Sequence, residues 1–96
     1  MPALPNEIAN IRDTRKKQIA RTRWSIEQAL KITESPSLIS LSLLLGYHQR
    51  TLSTVLYCGR ISPETAKRLQ KACGQDGRGR WKLPKELIAP EHYGND

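Results

Sequence analysis

Phenylalanine is absent from this 96-residue sequence, and two Trp and three Tyr make up all of its aromatic content. The apolar fraction is 38%, much of it Leu, Ile and Ala, which favours a small helical domain over a sandwich and suffices for one modest core. Trp24, Tyr47, Tyr57, Trp81 and Tyr93 are scattered, so no stacking platform for single-stranded RNA is legible. Cysteine is equally scarce. Cys58 and Cys73 stand far apart, and with only His48 and His92 as further soft ligands neither a disulfide scaffold nor a zinc centre is expected. Long hydrophobic runs are missing too. The longest patch, LISLSLLL at 38–45, is too short to span a bilayer, and MPALPNEIAN has no signal-peptide core, so a soluble protein without membrane attachment is expected. Catalytic groupings are also wanting: there is no Ser/His/Asp or Cys/His set, and QDGRGR at 75–80 lacks the strand and Lys-Ser/Thr of a P-loop. Neither an enzyme nor a cofactor is expected.

Positive charge is what the chain has in excess. Sixteen Lys and Arg against nine Asp and Glu give +7 and a pI near 9.9, a balance suited to a polyanion. Acidic residues vanish altogether between positions 35 and 63.

The pattern predicts an all-α fold. MPALPN at 1–6 reads as an extended lead-in, and 7–23 as a weakly amphipathic helix or a basic arm, with six cations between Arg12 and Arg23 against Asp13 alone. Ser25 and Gln28 form a capping box that predicts a helix over about 25–34, ended by Ser35-Pro36. A helix from Ser35 or Pro36 to Leu45 places Leu38, Leu41 and Leu45 on one stripe, and Gly46 stops it. Ile39 and Leu43 point elsewhere, so this helix needs cover on several sides, from the N-terminal segment or a second subunit. The next helix is predicted over 48–58, with Leu52, Val55 and Leu56 inward and Gln49, Arg50, Ser53, Thr54 and Tyr57 outward. Ser62-Pro63-Glu64 starts a further helix, with Ala66, Leu69 and Cys73 inward, Lys67, Arg68 and Lys71 outward, and Gly74 at its end. Beyond it, WKLP at 81–84 is expected as a short strand and ELIAPEHYGND as an irregular tail.

Two short helices around a glycine turn, the second with a polar outer arc, match the physical needs of a helix-turn-helix. Close crossing requires a small residue four positions before the turn glycine, which Ser42 supplies, its hydroxyl expected to bond back to the Leu38 carbonyl. Gln and Arg read adenine and guanine edges bidentately, Ser and Thr contact bases or phosphates, and an acid in the arc would repel phosphate.

Gly46, Gln49 three residues later, and Gly59-Arg60-Ile61-Ser62-Pro63-Glu64 carry a resemblance to the Cro/YdaS-like branch of the phage-repressor helix-turn-helix family, within the lambda repressor-like superfamily. It spans roughly residues 25–93, taking in Glu86-Leu87, Pro90-Glu91 and Tyr93. Ser42 stands where that family usually has alanine, Tyr47-His48 replaces a small apolar-then-Ser pair, and residues 1–24 have no counterpart. The resemblance implies a compact four-to-five-helix bundle with the helix-turn-helix at about 37–58, an extra basic helix or arm at 1–24, a short extended C-terminal element and a tail at 94–96. It also implies a sequence-specific regulator of phage or prophage type in the bacterial cytoplasm, associated with the nucleoid. Such a protein represses by occluding a promoter, as a homodimer on a palindromic double-stranded operator. Gln49, Arg50, Ser53 and Thr54 would meet base edges or nearby phosphates, with Tyr57 at the far end of the helix, and His48 and Arg60 would contact the backbone. Arg12, Arg15, Lys16, Lys17, Arg21 and Arg23 are candidates for added phosphate contacts. An antitoxin-type autoregulator, or a module that binds a partner protein, would use the same small domain.

Overall fold

Asp13 starts the principal helix. In the computed structural model, which describes residues 4–93, its carboxylate accepts the Lys16 backbone N–H at 2.9 Å and caps a helix running from Thr14 to Ile32. A four-residue turn of helix, α1 (Asn6–Ala9), precedes this long α2 (Thr14–Ile32). The helix expected to begin at Ser25 therefore begins eleven residues earlier, and Ser25 is buried inside it with its Oγ unpartnered. Residues 14–24 are the first half of the same rod, which crosses the boundary drawn between residues 24 and 25 without a break. Tertiary packing overrides the local capping box here: Ile19 and Thr22 both lie against Gly59, which fastens the basic half of α2 to the rest of the fold.

α2 ends in a Schellman motif. The Ser35 N–H reaches the Leu30 carbonyl at 3.0 Å and the Glu34 N–H that of Lys31 at 3.3 Å, with Glu34 in the left-handed region at φ 55°. Ser37, whose Oγ accepts the Ser40 N–H at 3.2 Å, then caps α3 (Leu38–Leu44), so Pro36 precedes the helix instead of opening it. A second Schellman motif closes α3: the Tyr47 N–H bonds the Ser42 carbonyl and the Gly46 N–H that of Leu43, both at 3.0 Å. Gly46 supplies the required φ of 82°.

α4 (Thr51–Cys58) starts three residues later than its pattern predicts, so His48, Gln49 and Arg50 belong to the turn before it. α5 (Pro63–Cys73) has its predicted bounds, with Ser62 Oγ accepting the Thr65 N–H at 3.2 Å. Gln75 and Trp81 then form one antiparallel bridge around a tight hairpin, in place of a strand over 81–84. The C-terminal element is helical where an irregular or extended tail was expected: α6 (Lys85–Ile88) and α7 (Pro90–Tyr93) each make about one turn. Positions 1–3 of the expected lead-in and the expected 94–96 tail lie outside the described residues.

The architecture is all-α, with seven helices and no strand among the described residues. Leu41 from α3, Leu45 just past its end, Leu52 from α4, and Ala66, Leu69 and Cys73 from α5 are buried together, joined by Ile26, Ala29, Ile61, Leu83 and Ile88. Val55 packs half-buried against this core. Desolvation pushes the Cys73 thiol up to about 11, with nearby Lys82 opposing the shift. No helix among the described residues is long and apolar enough to cross a membrane.

Candidate nucleic-acid interface

Ser42 sets the geometry of α3 against α4. Its side chain is fully buried, and its Oγ accepts the Leu52 backbone N–H at 3.2 Å. A first-turn amide of α4 that would otherwise lack a partner is thus capped from the neighbouring helix. The expected bond from Ser42 to the Leu38 carbonyl is replaced by this one, because the helix crossing brings a buried donor to the hydroxyl. The turn is held from the other side by α5. Arg68 donates through Nη1 to the Leu45 carbonyl at 2.8 Å and through Nε to Glu64 at 3.1 Å. Its guanidinium lies 4.4 Å from the Tyr47 ring centroid, and the Tyr47 hydroxyl lies 3.3 Å from Thr65 Oγ1. Tyr47 thus joins the turn to α5. His48 Nδ1 accepts the Arg50 N–H at 3.2 Å and shapes the approach to α4, which has no side-chain cap of its own.

On this frame the structure brings five of the predicted site residues to one place. Gln49, Arg50, Ser53, Thr54 and Tyr57 line a shallow depression of about 470 Å³ beside Ile39 of α3. All five are exposed, Tyr57 at 93%. Among the described residues Arg50 and Arg60 form no ion pair, and Thr54 Oγ1 donates to the Arg50 carbonyl at 3.2 Å. Thr54 also borders a second depression, of about 370 Å³, which holds Cys58, Arg60 and His92. Arg60 therefore continues the surface beyond the end of α4. The Gly59 carbonyl at that end accepts the Thr22 hydroxyl at 3.0 Å, which ties it to α2.

The six N-terminal cations are not brought together. Arg12, Lys17 and Arg21 line one further depression, with Glu91 3.9 Å from Arg21 Nη1. Arg23 is two residues beyond Arg21, about 200° around the helix, and shares its side of α2 with Lys16. Arg15 is exposed outside that depression. Ile39, Glu91 and His92 belong to these surfaces without having been read as site residues. Ile39 has a helical-pattern signal, as the apolar position facing away from the α3 stripe. Glu91 has none, since 73 positions separate it from Gln18, the residue whose amide donates to it at 3.4 Å.

The other half of α3 stays uncovered. Ile39, Leu43 and Leu44 are 50%, 59% and 57% exposed, and the N-terminal segment expected to shield them packs against α4 instead. Among the described residues no cluster of three His, Cys, Asp or Glu side chains gathers to hold a metal ion. Comparison with protein-family models, with curated proteins and with solved structures finds no match to this chain.

Proposed function

We propose that the chain is a sequence-specific double-stranded DNA-binding regulator, with α3, the Gly46 turn and α4 as its helix-turn-helix. The observation that carries this reading is the acid-free exposed surface formed by Gln49, Arg50, Ser53, Thr54 and Tyr57 at the start and along one side of α4. An α-helix with its side chains is about 10–12 Å across and fits a major groove about 12 Å wide, and α4 is such a helix of eight residues. Gln49 and Arg50, at the mouth of α4, are the pair to read adenine or guanine edges. Ser53 and Thr54 reach bases or phosphates nearby, with Tyr57 at the far end of the helix, and His48 and Arg60 meet the backbone. Regulation follows by occlusion of a promoter, as a homodimer on a palindromic operator of phage or prophage type.

Selection from random duplex DNA at two salt concentrations tests this. A palindromic winner is expected, bound by the parent chain and lost with Gln49→Ala plus Arg50→Ala at unchanged thermal stability. Operator binding that survives the double substitution refutes the groove assignment. A second reading, a module that binds a partner protein, is favoured by uncovered Ile39, Leu43 and Leu44. Failure to enrich any duplex at moderate salt, together with a complex lost on Leu43→Glu, would establish that reading instead.

A further inference from the structure

A depression of about 460 Å³ lies where the first half of α2 faces α7, and its lining is electrostatically one-sided. Arg12, Lys17 and Arg21 supply three cations to it and Glu91 a single carboxylate, a local balance of +2. The carboxylate is held by long contacts only. Glu91 Oε2 is 3.9 Å from Arg21 Nη1, Oε1 is 3.4 Å from the Gln18 amide, and His92 Nε2 is 4.0 Å away. None of these has the 2.7–2.9 Å length, roughly, of a charge-assisted hydrogen bond. Arg21 meanwhile has donor capacity to spare: its side chain is 15% exposed, and among the described residues its guanidinium comes no closer to an acceptor than the 3.9 Å contact with Glu91. Its terminal N–H groups can therefore take an acceptor that the described residues do not supply.

We propose that this depression is a phosphoryl-binding pocket, occupied in the free protein by Glu91 as a weak internal anion that the ligand displaces. Two guanidinium groups and one ammonium suit a tetrahedral dianion better than a halide. The paired N–H groups of arginine match two oxygens at once, and the lysine adds a point charge. Its position supplies one source of the phosphoryl group. His92 borders the depression that also holds Thr54, Cys58 and Arg60 at the end of α4, and the adjoining Glu91 borders this one. A duplex seated on α4, if the reading above holds, runs its backbone toward the pocket. The other source is a free phosphorylated small molecule acting as an effector. The pocket chemistry is the same for both, and only the first rests on DNA binding.

The test uses the full chain, ¹⁵N-labelled, titrated with sodium phosphate and separately with sodium chloride at matched ionic strength. The Arg21 Nε–H and the backbone amides of Gln18 and Glu91 are followed by NMR. Saturable shifts are expected with phosphate and not with chloride. Glu91→Gln keeps the side-chain shape while removing the competing charge, so it should tighten phosphate binding by about threefold to tenfold. Arg12→Gln, at an exposed position, should weaken it with the melting temperature unchanged. Equal responses to phosphate and chloride, or a Glu91→Gln variant no tighter than the parent, overturn the pocket whether or not the chain binds DNA. The source is separated with random-sequence duplex. If a backbone phosphate fills the pocket, Arg12→Gln plus Lys17→Gln lowers the slope of log K against log salt by about one. A slope that stays put while the phosphate response holds assigns the pocket to a free phosphorylated molecule.

Discussion

Replacing Gly59 by alanine should be among the most damaging single-methyl changes available in this chain, for two separable reasons. The residue sits at φ 75°, where a side chain costs about 1–2 kcal/mol. A Cβ built there would also fall 2.5 Å from Ile19 Cγ1, far inside van der Waals contact. Relieving that overlap means moving α2 away from the end of α4, against the 3.0 Å bond from Thr22 to the Gly59 carbonyl; overpacking of this kind costs about 1–3 kcal/mol. The sum, about 2–5 kcal/mol, is a large part of the roughly 5–15 kcal/mol expected for a small domain. Gly46→Ala is the internal control. It has a similar φ of 82°, but its Cβ meets only the tip of the Arg68 side chain at 3.2 Å, so about 1–2 kcal/mol is expected. Urea unfolding of both variants measures the two losses. Combining Gly59→Ala with Ile19→Ala should recover the steric share, about 1–3 kcal/mol of favourable coupling in the double-mutant cycle. A Gly59→Ala loss no larger than that of Gly46→Ala, or a cycle with no coupling, would refute the close approach of α2 to α4.

Four further outcomes are expected. Ser42→Ala leaves the buried Leu52 N–H without its acceptor and should cost about 1–3 kcal/mol, with faster hydrogen exchange at that amide. Glu34→Gly relieves a left-handed non-glycine residue at the end of α2 and should raise stability by about 0.5–1 kcal/mol, read as a higher urea midpoint. Exposed Cys58 should react promptly with an alkylating reagent at pH 8 while buried Cys73 reacts only on unfolding. Because folding raises the Cys73 thiol from 9.0 to about 11, its contribution is fully present below pH 9 and is lost as pH rises toward 11. A Cys73→Ala variant should lack that part of the alkaline decline.

What was legible in the sequence depended on how local the controlling interaction is. The end of α3 at Gly46 and both ends of α5 are set by the chain's own neighbours, and the pattern located them. The capping box at Ser25 is an equally local signal and misled. Its hydroxyl is buried in mid-helix, while the cap in use, Asp13, lies in a stretch whose apolar stripe is too sparse to announce a helix. Ile19 and Thr22 hold that stretch by touching Gly59, a contact that spans 37 positions or more and leaves no periodic trace. The cap on Leu52 came from Ser42, so the small residue was anticipated and its bond was not. The exposed surface around α4 was foreseen as a set of residues. The turn that carries Gln49 and Arg50 was not, because His48 Nδ1 supports a backbone bend at a position the helical pattern treats as helix.

The continuity of α2 bears on how the molecule comes apart. One rod of 19 residues packs against α3, α4, α5 and α6, so none of these can detach while keeping its whole interface. Partial openings that expose the core should therefore be scarce, and the slowest-exchanging amides of α2, α4 and α5 should share one common opening free energy. A terminal fraying event confined to the first turns of α2 would break this unity only as far as Gln18. From Ile19 onward, unzipping the rod removes the support of α4, and the unfolding becomes that of the whole domain.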